Sequence, residues 1–128
     1  MKRFDHTAVT TKPFDEAVAA IEKKTAEKGF RVLHIHDIAG LLTEKGFARA
    51  PLKIIEICQA KSASAVLEKD IRTSLMLPCP ISVYEKDGQT HISTFLPSAM
   101  VEFFADANIA GEAAAVERGV LEIIAEAR

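Results

Sequence analysis

Two strand-like runs, Ile81 to Lys86 and Gln89 to Phe95, meet at Asp87-Gly88, and this junction constrains the fold more than any other stretch of the chain. Asp-Gly accepts positive φ at both central positions of a two-residue turn, whose twist matches that of the flanking strands. The segment therefore predicts a tight antiparallel hairpin. It is entered through Leu77-Pro78-Cys79-Pro80, where paired prolines hold the backbone extended and stiff.

Around the hairpin the apolar spacing switches between two periods. Phe4 to Thr10 alternates weakly and reads as a strand. Pro13 then pre-sets the first turn of an amphipathic helix running to about Lys28, with Phe14, Ala17, Val18, Ile21 and Thr25 on one stripe and Gly29 as its stop. Lys23, Lys24 and Lys28 read as solvated partners of the helix dipole. Phe30 to Asp37 is a strand that places Leu33 and Ile35 on one face and Val32, His34 and His36 on the other. Ile38 to Lys45 is a short helix closed by Gly46, and Leu52 to Cys58 is a central strand. Ser62 is the expected N-cap of a helix with Ala63, Val66, Leu67 and Ile71 on one face, ending before Pro78. Pro97 opens another helical piece, and Gly111 separates it from a last helix striped by Val116, Val120, Ile123, Ile124 and Ala127. Apolar periodicity runs from end to end without a linker, so residues 1–128 read as one α+β domain of two layers.

Composition narrows the function classes. Of 128 residues 48% are hydrophobic and 27% charged, the usage of an ordinary globular chain. A net charge of −2, one Tyr and no Trp offer neither a phosphate-binding surface nor a stacking platform, so nucleic acid is not expected as a partner. No apolar run is long enough to span a membrane, and the basic start Met1-Lys2-Arg3 has no apolar stretch behind it. A cytoplasmic protein with two reduced thiols, Cys58 and Cys79, is expected.

With these elements placed, the chain resembles the uncharacterised bacterial and archaeal family called domain of unknown function 302. The resemblance is carried by Gly29-Phe30-Arg31-Val32-Leu33, by Pro51 through Cys58, and most specifically by Leu75-Met76-Leu77-Pro78-Cys79 leading into Ile81-Ser82-Val83-Tyr84-Glu85 and Asp87-Gly88. It implies a TATA-box-binding-protein-like α+β fold, mainly an antiparallel sheet with helices on one face, and a homodimer. It implies no established activity. One departure stands out: after the first cysteine the family commonly has Asn-Pro, where this chain has Gln59-Ala60. The turn there loses a fixed φ and an asparagine able to bond its own backbone.

Several constellations can carry chemistry. Cys58 lies just before a helix N-terminus, where the dipole and free amides favour thiolate. Cys79 is held between Pro78 and Pro80. If the strands bearing the two cysteines are antiparallel neighbours, the end of one lies beside the start of the other. Cys58, Gln59, Pro78 and Cys79 are accordingly the candidate ligand-binding residues, and Cys58 and Cys79 the catalytic candidates, against a bland role as packed small hydrophobes. His34 and His36, two apart on a strand, share a face and are the metal-ligand candidates, with His6 or His91 as further donors. A solvated histidine pair is the plainer reading. Glu56, Glu85 and Asp87 have no paired spacing to single them out as acid and base. Met100, Val101, Phe103 and Phe104 are too many for one face of a short helix, which leaves some for a second subunit.

Two functions of different class follow. The first is a dimeric, non-enzymatic module binding a small ligand or partner, with no cofactor assigned. The second is a thiol-based redox or sulfur-handling protein with Cys58 as nucleophile and Cys79 as resolving thiol.

Overall fold

The computed structural model describes residues 3–128, so Met1 and Lys2 lie outside it. Five strands, β1 (Asp5–Thr10), β2 (Arg31–Asp37), β3 (Leu52–Cys58), β4 (Cys79–Lys86) and β5 (Gln89–Phe95), form one sheet in the order β1-β5-β4-β3-β2. Every neighbouring pair is antiparallel. The hairpin closes as its turn chemistry dictates: Lys86 pairs with Gln89, while Asp87 and Gly88 take φ of 53° and 75°.

The sheet is two-faced. Ala8, Ile55, Ile57, Ile81, Val83 and Ile92 are buried and cluster with Ala17, Val18 and Ile21 of α1 (Phe14–Glu27) and with Val120, Ile123 and Ile124 of α5 (Ala110–Ala127). Three salt bridges, made by two lysines, tie these helices together. Lys28 reaches Glu126 at 2.5 Å and Glu122 at 3.6 Å, and Lys24 reaches Glu126 at 3.8 Å. Lys24 and Lys28, expected to be merely solvated, thus link α1 to α5. The architecture is the expected α+β one, an open antiparallel sheet with its core on the helix side.

Strand β2 departs from simple alternation. A bulge between Val32 and His34 puts an extra residue, Leu33, into the strand. Past the bulge the face assignment flips, because one residue of slip moves every following side chain across the sheet. Val32 pairs with buried Ile57 and Ile35 with buried Ile55, whereas Leu33 is 52% exposed. The expected grouping of Leu33 with Ile35 is therefore corrected; His34 and His36 do share a face.

The chain between the strands is less regular than its periodicity suggests. α2 (Ile38–Glu44) is capped by Asp37, whose carboxylate accepts from the Gly40 amide at 3.0 Å. α3 (Ala60–Lys69) is capped by Gln59 rather than by Ser62: the Gln59 Oε1 accepts from the Ser62 amide at 2.7 Å. It ends at Asp70, which caps a separate 3₁₀ turn over Ile71–Met76, and Ile71 is 70% exposed rather than on the buried stripe. α4 (Pro97–Met100) gives way to a second 3₁₀ turn over Val101–Ala107. Asn108, at φ 55°, breaks the chain before α5, so Gly111 lies inside that helix instead of ahead of it. A second apolar cluster of Val66, Met100, Phe104 and Ile109 fills this end of the helical layer.

Candidate functional site

The end of β3 and the start of β4 lie side by side, with Ile57 opposite Cys79 and Glu56 opposite Pro80. Over them lies a narrow cleft of about 30 Å³, room for one or two water-sized groups. Five elements line it: Ile57 and Cys58 from β3, Val66 from α3, Cys79 from β4, Met100 from α4 and Val116 from α5. Polar side chains among its lining residues are Gln59, Ser62 and Glu112. Two of these are already committed. Gln59 caps α3, and Glu112 accepts from Lys69 Nζ at 3.0 Å, a contact that holds its carboxyl below the ordinary range.

Three of the four candidate binding residues, Cys58, Gln59 and Cys79, line the same cleft; Pro78 adjoins it through a cis peptide to Leu77 without lining it. Gln59 replaces an asparagine with one more methylene and still caps the helix, so the turn after Cys58 is fixed without Asn-Pro. Both cysteines are free and half-buried. Burial pushes the Cys79 thiol up to about 11, and the negative charge that Cys58 acquires on ionising adds to the shift. Cys79 is thus a protonated, weakly nucleophilic thiol at neutral pH. Met100, Val66 and Val116 were legible only as apolar positions; nothing in their spacing marks them as walls of a cleft.

The opposite sheet face carries His34, His36, His91 and Glu56. His36 Nε2 lies 2.6 Å from Glu56 Oε1, and the His34 and His36 rings meet edge to face at 4.4 Å between centroids. His91 stacks on Tyr84, 5.4 Å between centroids, and the Tyr84 hydroxyl meets Ser93 Oγ, which also meets Thr7 Oγ1, each at 2.7 Å. His6 sits on β1, at the far edge from β2, and contacts Arg3. With strands about 4.8 Å apart, four strand spacings separate His6 from His34 and His36, too far for a shared ion. Among the described residues, no three His, Cys, Asp or Glu side chains come together in a metal-holding group. Glu85 and Asp87 are exposed at the hairpin end, away from Glu56.

No helix among the described residues is long and apolar enough to cross a membrane. No functionally curated protein matches the chain. An uncharacterized conserved protein DUF302 from Bacillus stearothermophilus, known by its crystal structure, superposes with a TM-score of 0.93 at 26% identity, covering 99% of this chain and 100% of that one. The model of the family described as domain of unknown function DUF302 matches residues 6–127, and the chain belongs to that family.

Proposed function

We propose that the protein is a non-enzymatic binding module whose ligand site is the cleft over Cys58 and Cys79. The observation that carries this reading is the convergence of apolar side chains from five elements on one narrow opening at the paired ends of β3 and β4. Such convergence with few polar groups is the usual anatomy of a small-ligand site. The protonated Cys79 weighs against the redox alternative, since thiol–disulfide exchange runs through thiolate. The two free cysteines suit a reducing compartment such as the cytoplasm. Xenon and small alcohols up to butanol, mapped by amide chemical shifts, test the site. Shifts centred on Ile57, Val66 and Val116 support the reading; shifts elsewhere, or none, overturn it.

The module works as a homodimer, with the second copy on the open sheet face. Across the sheet that face runs Thr7, Ser93, Ser82, Ile54, His36. Its β1 edge carries Asp5 and its β2 edge Arg31 and His34. A two-fold axis parallel to β4 sets each edge over the opposite edge of the partner, acid against base. Such self-complementarity favours a second copy over an unrelated partner. Sedimentation at micromolar concentration tests it, and a monomer overturns it.

A further inference from the structure

The narrow cleft continues into a second space. Gln59, Ser62 and Val116 line the cleft and also line a wider groove of about 340 Å³ between the end of α1, the start of α3 and α5. The chemistry changes along this path. Aliphatic side chains wall the cleft, whereas the groove sets two cations, Lys28 and Arg118, against one acid, Glu122. We infer that the site takes a small aliphatic monocarboxylic acid, its tail in the cleft and its carboxylate in the groove at Arg118 and Lys28. The inference rests on the cleft being the binding site and names the class of its ligand.

Three features support this class. The first is reach. Ala113 and Val116 of α5 line the cleft, while Val116 and Gly119 line the groove, so the two spaces are one helical turn apart, about 4.5 Å along the axis. An acid of roughly four to six carbons, with bonds of about 1.5 Å, covers that distance while its end fills the cleft. The second is charge. Arg118 is exposed and forms no salt bridge among the described residues, and its planar guanidinium suits the two oxygens of a carboxylate. Lys28 is held in place by Glu126 and Glu122, and the acid at the cleft, Glu112, is already paired with Lys69. Ser62, where the two spaces meet, adds a hydroxyl donor. The third is size. A cleft of about 30 Å³ excludes aromatic and long tails, and the groove beside it stays open because Gly119 carries no side chain against the Phe30 ring.

Acetate, butyrate and hexanoate are titrated into the full-length protein at pH 7 and low salt, with butanol and butylamine as uncharged and cationic counterparts, and binding is mapped by amide chemical shifts. Butyrate is expected to bind about fivefold more tightly than butanol or butylamine, with shifts at Ile57, Val66 and Gly119. Affinity rises about fourfold per methylene from acetate to butyrate and levels off toward hexanoate as the cleft fills. Arg118→Gln, at an exposed position that leaves the fold intact, brings butyrate down about fivefold to the affinity of butanol and leaves butanol itself unchanged. Arg118→Lys keeps most of the preference. Equal affinity for butyrate, butanol and butylamine overturns the inference, as does an unchanged butyrate affinity in Arg118→Gln. Butanol shifts at the cleft without a preference for butyrate remove the carboxylate assignment and leave the binding reading standing. Butyrate shifts confined to Lys28 and Gly119, with no gain over acetate, overturn the inference together with the reading of the cleft as the site.

Discussion

Ile57 and Cys79 face one another across the β3–β4 ladder, which sets Cys58 one residue along from the pair, where the strand gives way to α3. The fully buried isoleucine and its cluster shield the Cys79 side of this junction. The two thiols therefore have different surroundings although their strands are neighbours.

That difference is measurable through pH. With its pKa near 11 against an ordinary 9.0, Cys79 is about one-thousandth ionised at pH 8. Alkylation of Cys79 by iodoacetamide in Cys58→Ser is expected to rise about tenfold per pH unit between pH 7 and 10. A plateau below pH 9 contradicts the assignment. Folding stability follows the same shift. The unfolded chain releases this proton near pH 9 and the folded one near 11, so the contribution of Cys79 is fully present below pH 9 and is lost as pH rises to 11. The loss, of the order of 2 kcal/mol, is read from urea melts of the wild type against Cys79→Ala.

Gln59 carries the cap of α3 by a single side-chain bond. Gln59→Ala is expected to cost about 1 kcal/mol of stability, and Gln59→Asn to restore most of it, as judged by denaturant midpoints. Equal loss in both variants would mean that glutamine acts through packing alone.

Two glycines of α5 respond in opposite senses to the same substitution. A Cβ at Gly119 meets the Phe30 ring at 2.6 Å, whereas one at Gly111 meets nothing within 4 Å. Gly111→Ala gains up to about 1 kcal/mol from helix propensity. Gly119→Ala loses about 1–3 kcal/mol despite the same propensity gain, because Phe30 is buried and has little room to yield. Thermal melts of the two variants check the sign.

Thr73 is fully buried, and among the described residues its hydroxyl is the one buried side-chain oxygen without a hydrogen-bond partner. Thr73→Val removes that oxygen at nearly constant shape and is expected to raise stability by about 1 kcal/mol. A drop of that size in the urea midpoint contradicts it.

The dimer places Ser82 at the centre of the open face, with Ser93 and Ile54 as its neighbours. Ser82→Arg is expected to convert the dimer to monomer in sedimentation while leaving the circular dichroism spectrum unchanged. A dimer that persists in this variant shifts the interface elsewhere.

The parts of the fold legible in the sequence are those in which local chemistry and tertiary packing agree. Asp87-Gly88 can hardly do anything but turn, and the stripe of α1 has one burial solution. The bulge at Leu33 was not legible, because Arg31 to Asp37 reads as plain alternation and only pairing with Ile57 and Ile55 reveals the extra residue. The cap of α3 was assigned to Ser62 on side-chain preference, while the helix begins where β3 runs out and glutamine happens to reach. Ile71 misled for a related reason: its spacing continues the stripe of Val66, but Asp70 ends the helix first. Of the candidate site, the cysteine pair was legible from the two turns. Met100 as a wall of the cleft was not, since it is 21 residues past Cys79 and only the packing of α4 brings it there.

Strand order has a consequence for how the chain assembles. β2 to β5 form a meander in which every strand pairs with the next one in sequence, while β1 joins the far side of β5, with Thr7 opposite Ser93. During synthesis β1 emerges well before its partner, since the β5 residues it pairs with lie 80 to 90 residues further along the chain. Until then α1, which follows it, has no finished sheet to cover. Closing so long a stretch of chain costs more entropy than any pairing within the meander, so the β1–β5 ladder is the most expensive of the four to close.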